Sequence, residues 1–410
     1  MAECPLHVVW VEPRFPGRLG VVADWLTSKR GYRSTFYCQR ADPPEFWPNS
    51  VGHGLELRGY VVGGAALETA VTWQRTLERG LCHAFAFYEA LERDRIRPID
   101  VIIGRSHGLG SALFAQAHAP RTPVVQWMDA YIPTRQNDLD AGLHSNPPDA
   151  QNRWRRSTGA MDLLDLENAQ VGICGSNWER ESFPAEYRDS LTVIPEGVDL
   201  RRFQIVPRTN SALKVITFAA RTLDRVRGFD RFVTIVDQLM NVRHDIHVKV
   251  LGDEVVDRPL DIQWHGRNHA RKLLANLNDS IPMQLRGFVT QTDLADVLCQ
   301  STLHLDPSRV HSVPQTTLEA MAAGAVVLAS DTPAHREVIT SGVNGFLINA
   351  EDTDAWVRVA TELLEDPSHC RTIGLAARES IRVSFDRDQT LSRLAKLLEG
   401  LIRHHPDVIA

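Results

Sequence analysis

Apolar runs of strand length recur along the chain, and segments of helical period separate most neighbours. The first set of runs is His7–Pro13, Ser34–Cys38, Asp100–Arg105, Pro123–Met128, Val171–Gly175 and Leu191–Pro195. The second is Lys214–Ala220, His247–Gly252, Gln284–Val289, Thr302–Asp306, Val326–Ser330 and Gly345–Ile348. Helical patterns lie at Gly20–Lys29, Thr69–Glu92, Gly110–Ala119, Phe229–Met240, Asp293–Gln300 and Asp354–Glu365. Strands alternating with helices predict an α/β protein whose parallel sheets are covered by helices on both faces. Two such sets predict two Rossmann-like domains. The polar, aperiodic stretch Asp199–Leu213 marks the junction, and the Asn-, Asp- and Pro-rich stretch Asn137–Trp154 predicts a loop.

One stretch carries more chemistry than any other: DPSRVHSVPQTTLEAMAAGAVVLASDTPAHREV, Asp306–Val338. It reads as strand end, loop, short helix, Gly stop and buried strand. Pro314 suits a first helical position, where its missing N–H is no loss. Gly324 suits the left-handed stop after the helix. Ala325–Asp331 is a continuous apolar run, as in a strand covered on both faces. A helix that opens at the C-terminal edge of a parallel sheet offers free N–H groups and the positive end of its dipole, which suits a phosphate. Glu319 sits too far along to be only a cap, and reaches a sugar hydroxyl beside such a phosphate.

A second phosphate-type feature opens the second half. Strand Val215–Ala220 runs into Arg221, with Arg227 and Gly228 six and seven residues on. Arginine suits bidentate phosphate contacts, and Gly228 lets the next helix begin close to a ligand. The plainer alternative is a pair of surface arginines bridged to Asp224 or Asp230.

Length and charge narrow the field. A chain of 410 residues exceeds one core and suits two domains. Net charge −6 argues against a nucleic-acid partner, which needs a basic face. No apolar run is long enough to span a membrane. The N-terminus enters a strand without the basic region and cleavage site of a signal peptide, so a cytoplasmic location is expected. The six cysteines have no paired spacing and read as reduced thiols.

These residues carry a resemblance. The chain resembles the retaining glycosyltransferases of family 4, glycosyl transferases group 1, with their GT-B architecture of two Rossmann-like domains facing across a crevice. VIPEGVDLRRF (Val193–Phe203) resembles the family's junction motif. FAARTLDRVRGFDRF resembles G-R-x-x-x-x-K-G-x-d, with Ala220 where Gly is usual, Arg227 where Lys is usual and one residue more between the two arginines. LRGFVTQTDLADVLCQSTLHLDPS and HSVPQTTLEAMAAGAVVLASDTPAHREVI resemble the segments around the donor site, and CGSNWERESFP adds a weaker match. The likeness is looser over the first 170 residues. The domains implied are an acceptor-binding one at 1–198, a nucleotide-sugar-binding one at 199–385, and a C-terminal helix at 386–410 packing back towards the first.

The resemblance implies roles residue by residue. Arg221 and Arg227 match the basic pair that holds the donor pyrophosphate. Glu319 matches the second carboxylate of E-x7-E, which binds the ribose hydroxyls. The backbone at Gln315, Thr316 and Thr317 would meet the phosphates. Gly17 and Gly20 match the glycine loop that approaches the donor or the leaving phosphate. His107 falls where acceptor-side residues often lie. Two positions depart from the pattern. His311 replaces the first carboxylate of E-x7-E, which touches the donor sugar. Asp129, in PVVQWMDAY, replaces the usual active-site His and is a candidate for stabilising a developing oxocarbenium ion.

The implied function is transfer of a sugar from a nucleotide diphosphate donor to a hydroxyl, with retained anomeric configuration. No metal ligand set and no cofactor are expected, because the arginines balance the diphosphate charge. The acceptor, a glycan, lipid-linked or small molecule, is open, as are the sugar, the base and the oligomeric state. Arg153, Arg155 and Arg156 are candidates for greeting an anionic acceptor or a membrane surface, against the plainer reading of a solvated patch. Trp127 is a candidate sugar platform, His304 reads as a core residue, and His144 and His335 read as solvated loop residues. Two other classes remain. One is a catalytically impaired relative that only binds nucleotide sugar, suggested by His311 and Asp129. The other is a nucleotide-sugar epimerase or phosphorylase; a phosphorylase would need a pyridoxal-phosphate lysine, and no lysine of the second half stands in a convincing site.

Overall fold

The computed structural model describes residues 5–63, 76–106, 112–131, 148–204, 214–254, 268–275, 283–309 and 312–403. They fall into two compact units, one drawn from residues 1–136, 146–196 and 388–410, the other containing 197–387.

The first unit is built on a seven-stranded sheet. Its order is Leu55–Gly59, Arg33–Cys38, His7–Val11, Val101–Arg105, Val124–Trp127, Val171–Cys174 and Leu191–Val193. Every ladder is parallel. All five residues of HVVWV at His7–Val11 are buried, as a central strand with helices on both faces requires. Strand order reverses between His7–Val11 and Val101–Arg105, so the loops after these two strands diverge and leave room for a ligand at their C-terminal ends. The helix Arg387–Arg403 sends Leu391, Leu394, Ala395 and Leu398 into the core around Val8, Trp10 and Trp25. Trp25 Nε1 donates to Asp388 Oδ1 at 2.6 Å, and the Tyr32 hydroxyl donates to Glu399 at 3.0 Å.

The second unit has six parallel strands in the order Met283–Leu285, Ile246–Asp253, Lys214–Thr222, Leu303–Asp306, Val326–Ser330 and Phe346–Ile348. Its reversal lies between Lys214–Thr222 and Leu303–Asp306, the two strands that lead into the arginine turn and the donor-type loop. Phe218, Phe229 and Phe232 pack together beneath that turn, with ring centroids 4.8–6.1 Å apart.

Three expectations change. Leu55–Gly59 is an additional strand, at the sheet edge, where only Leu55 is buried. The helix expected at Gly110–Ala119 is a single turn, Ala115–His118, among the described residues. The loop expected at Asn137–Trp154 gives way to a helix from Pro148 to Asn168, and its first part lies outside the described residues. Among the described residues no helix is long and apolar enough to cross a membrane.

Candidate functional site

In the second unit, the turn after Lys214–Thr222 is organised by Asp224. Its carboxylate accepts Thr222 Oγ1 at 2.6 Å and the Arg227 N–H at 2.9 Å, and lies 3.5 Å from Arg227 Nε. The Asp224 side chain is fully buried, whereas that of Arg227 is 25% exposed. The buried acid therefore fixes the turn and keeps a partly exposed guanidinium beside it, the Asp224 bridge that the plainer alternative foresaw. Arg221 lies with its guanidinium carbon 5.3 Å from the Phe288 ring centroid, a cation–π arrangement that leaves the cation at the strand exit. Asp230 pairs instead with Arg309 at 2.8 Å and Arg225 at 3.3 Å. Gly228 has φ +76°, and a Cβ there would collide with the Pro307 carbonyl. Glycine is thus required for the turn to lie directly against the loop after Leu303–Asp306.

That loop leads to the helix Gln315–Ala322. Pro314 is its N-cap, one residue earlier than the first-position role expected for it. Gln315 Nε2 donates to the Gly197 carbonyl at 3.0 Å, and Thr316 Oγ1 donates to the Ala219 carbonyl at 3.0 Å. Both side chains anchor the helix start to neighbouring backbone. Thr317 is fully buried, its hydroxyl donates to Asp306 Oδ2 at 2.5 Å, and its N–H closes a turn on Pro314 at 3.0 Å. The candidate phosphate contacts at this helix start therefore narrow to the backbone of Gln315 and Thr316, whose N–H groups have no intrahelical partner. Glu319 lies one turn further on and is buried. Gly324 takes the left-handed conformation expected of the stop, φ +76°.

In the first unit, charged side chains converge at the C-terminal ends of the strands. Arg105 pairs with Glu12 and, at 3.0 Å, with Asp129. Arg18 Nη1 meets Asp129 Oδ1 at 2.9 Å, and its Nε lies 3.4 Å from Glu196. Asp129 is thus held between two guanidiniums, its side chain 16% exposed. Glu12 also accepts the Leu19 N–H at 2.8 Å, at the start of the helix Leu19–Arg30. Gly17, at φ +54°, is where a Cβ would strike that same carboxylate. A Cβ on Gly20 would stand 2.9 Å from the Pro16 Cβ and 3.1 Å from the Phe15 ring. Both glycines are therefore demanded by contacts within the chain. Glu179 completes the group. It is buried and accepts the Gly175 N–H at 2.6 Å. Burial raises its carboxyl to about 7; Arg18 and the Gly175 N–H oppose the rise, and Asp129 and Glu196 add to it.

His107 and His311 lie outside the described residues. Trp127 is buried in the core and is no sugar platform. His335 is fully buried rather than solvated, with Nε2 2.9 Å from Asp306. His304 is a core histidine, as expected: Nδ1 lies 2.9 Å from Thr217 Oγ1, and burial lowers the ring to about 4.

Residues 202–380 match the family described as Glycosyl transferases group 1, and residues 30–203 match Glycosyl transferase family 4 group. The chain belongs to the group 1, family 4 glycosyl transferases. Among curated relatives, it is similar to the lipopolysaccharide core biosynthesis mannosyltransferase LpcC of Rhizobium leguminosarum bv. viciae. The identity is 28%, covering 52% of this chain and 60% of the relative. The chain thus spans about three fifths of the length of the first curated relatives it matches. Among solved structures, it resembles sucrose-phosphate synthase from Thermosynechococcus elongatus, with TM-score 0.76 and 16% identity over 98% of this chain and 100% of the other. The Anabaena protein HepE, in complex with UDP-glucose, gives TM-score 0.71 and 16% identity over 96% and 100%. These likenesses show the fold: an α/β protein of two domains, of the GT-B type.

Within this family member, sequence reasoning singled out Asp129 but not the residues that hold it. Glu12, Arg18, Arg105, Glu179 and Glu196 were passed over. A signal existed for some of them. Glu12 directly follows and Arg105 ends the two strands that flank the sheet reversal, much as Arg221 lies at the end of its own strand. Ser176 and Glu179 also have capping-box spacing, and the Ser176 hydroxyl accepts the Glu179 N–H at 3.1 Å.

Proposed function

We propose that this chain is a retaining, metal-independent glycosyltransferase that moves a sugar from a nucleoside diphosphate donor to an acceptor hydroxyl. The observation that carries the reading is the arginine turn of the second unit, where buried Asp224 fixes the turn that carries Arg227 and Gly228 brings it against the donor-type loop. Arg221, Arg227 and the backbone at Gln315 and Thr316 would hold the diphosphate and stabilise its charge as the sugar leaves. That charge is then balanced by guanidiniums and a helix dipole, so no metal or cofactor is required. Glu319 would bind the ribose.

The first unit would supply the acceptor side. Asp129 is fixed in place by Arg18 and Arg105. A carboxylate held in this way suits hydrogen bonding to hydroxyls of the transferred sugar and stabilisation of positive charge at its anomeric carbon. No nucleophile is assigned, so front-face attack by the acceptor hydroxyl is the favoured route. Relatives are named for lipopolysaccharide core and phosphatidylinositol monomannoside mannosyl transfer, which favours a glycan or lipid-linked acceptor.

The test is incubation with UDP-, GDP- and ADP-sugars and a panel of acceptors, with the product's anomeric configuration read by NMR. Transfer with retention is expected. Inversion, or interconversion of the donor sugar without an acceptor, would contradict the reading.

A further inference from the structure

We propose that Asp306 and His335 position the start of the Gln315–Ala322 helix for the donor diphosphate, acting through Thr317. The inference rests on the donor reading given above.

Asp306 ends its strand, beside the sheet reversal. Its Oδ2 accepts the Thr317 hydroxyl at 2.5 Å and lies 2.9 Å from His335 Nε2; its Oδ1 accepts the Ser308 N–H at 3.3 Å. The other ring nitrogen of His335 lies 2.9 Å from Thr332 Oγ1. With Nε2 donating to the carboxylate, Nδ1 accepts from that hydroxyl, so the ring's orientation is set at both nitrogens. Thr332 in turn caps the short helix Pro333–Arg336, accepting the His335 N–H at 3.2 Å. One carboxylate therefore joins the end of Leu303–Asp306, the first turn of Gln315–Ala322 and the turn after Val326–Ser330.

Asp306, Ser308, Thr317 and His335 are all buried. An acid in such a place is costly unless it is multiply bonded. Burial works to raise the Asp306 carboxyl. The His335 ring beside it and the hydrogen bonds from His335, Ser308 and Thr317 together hold it well below the usual carboxylate range. What the acid adds is direction: it fixes Thr317 one hydrogen bond from the sheet edge, and with it the aim of the Gln315 and Thr316 N–H groups. A displacement of about 1 Å in such a site costs on the order of a hundredfold in rate.

The experiment is calorimetric titration with UDP, GDP and ADP of wild type, T317V, T317S, H335A, T317V/H335A and, as a reference, R227A, well below their melting temperatures. T317V keeps the volume and removes the hydroxyl; T317S restores the hydroxyl. T317V should weaken the best-bound diphosphate about tenfold, and T317S should return it to within about twofold of wild type. H335A should weaken it as well, and the double variant should bind little worse than the weaker single variant, because both act through one contact. If T317V binds like wild type while R227A loses affinity, the positioning role is wrong and the donor reading stands. A T317V that only melts earlier also contradicts the positioning role. If wild type takes up none of the three diphosphates, the donor reading fails and the positioning role fails with it.

Discussion

The carboxylate of Glu12 accepts the backbone N–H of Leu19 at 2.8 Å, where the helix Leu19–Arg30 begins. A helix start of this kind ordinarily favours an external anion. Here the chain supplies its own, and Arg105 pairs with the same group. The glycine loop at Gly17 and Gly20 is therefore shaped around an internal carboxylate. Removing one partner of a buried pair costs roughly 3–5 kcal/mol, because the other charge is left behind. Arg105 is a quarter exposed, so Glu12→Ala should lower stability by less than that amount in urea unfolding. It should also create an anion site, so that inorganic phosphate raises the melting temperature of the variant and not of wild type. Equal phosphate responses would show that the Leu19 amide is not available to an anion.

Gly228 tests the close approach of turn and loop. Alanine at φ +76°, facing the Pro307 carbonyl, has no place to put its methyl group. Gly228→Ala should cost more than about 1 kcal/mol. It should also weaken nucleoside diphosphate binding, because Arg227 is carried on the same turn. A variant with wild-type stability and affinity would mean that the turn relaxes freely.

Much of this second-unit chemistry is legible in the sequence because it is local. Arg221, Asp224, Arg227 and Gly228 lie within eight residues, and Pro314 to Gly324 form one helix with its stops. The first-unit cluster is not legible in that way. Its ion pairs join Arg105 to Glu12 across 93 positions and Arg18 to Asp129 across 111, so only the sheet order brings them together. The strand Leu55–Gly59 escapes notice for a different reason. As an edge strand it buries little, and LELRG carries no continuous apolar run. The helix from Pro148 is hidden by its polar first turns, PDAQNRWRR.

Glu179 should give stability a pH dependence of known sign. Its folded-state value of about 7 lies above the ordinary carboxylate value, so the folded protein binds the proton more tightly. That contribution is full below about pH 4.5 and is lost as pH rises towards 7, for about 3 kcal/mol in all. Glu179→Gln keeps an oxygen acceptor for the Gly175 N–H and cannot ionise. Relative to wild type it should gain stability steadily between pH 5 and pH 7, as measured by urea midpoints. His304, lowered to about 4 by burial, tilts stability the other way, but it is common to both proteins. Parallel pH profiles would remove Glu179 from the charged cluster.

Asp129 should act on turnover more than on donor affinity. Asp129→Asn keeps the shape of the side chain and removes the charge. It should lower kcat by about a hundredfold or more, while nucleoside diphosphate affinity stays close to wild type. If Asp129 only tethers Arg18 and Arg105, the variant will lose stability and keep most of its kcat.

The most direct test is calorimetric titration of wild type, R221A and R227A with UDP, GDP and ADP. Wild type should bind at least one of the three. Loss of a charged hydrogen-bond partner costs roughly 1.5–3 kcal/mol, so each variant should bind it about tenfold or more weakly. Wild-type affinity in both variants, or no binding by wild type, would contradict a donor site at the arginine turn.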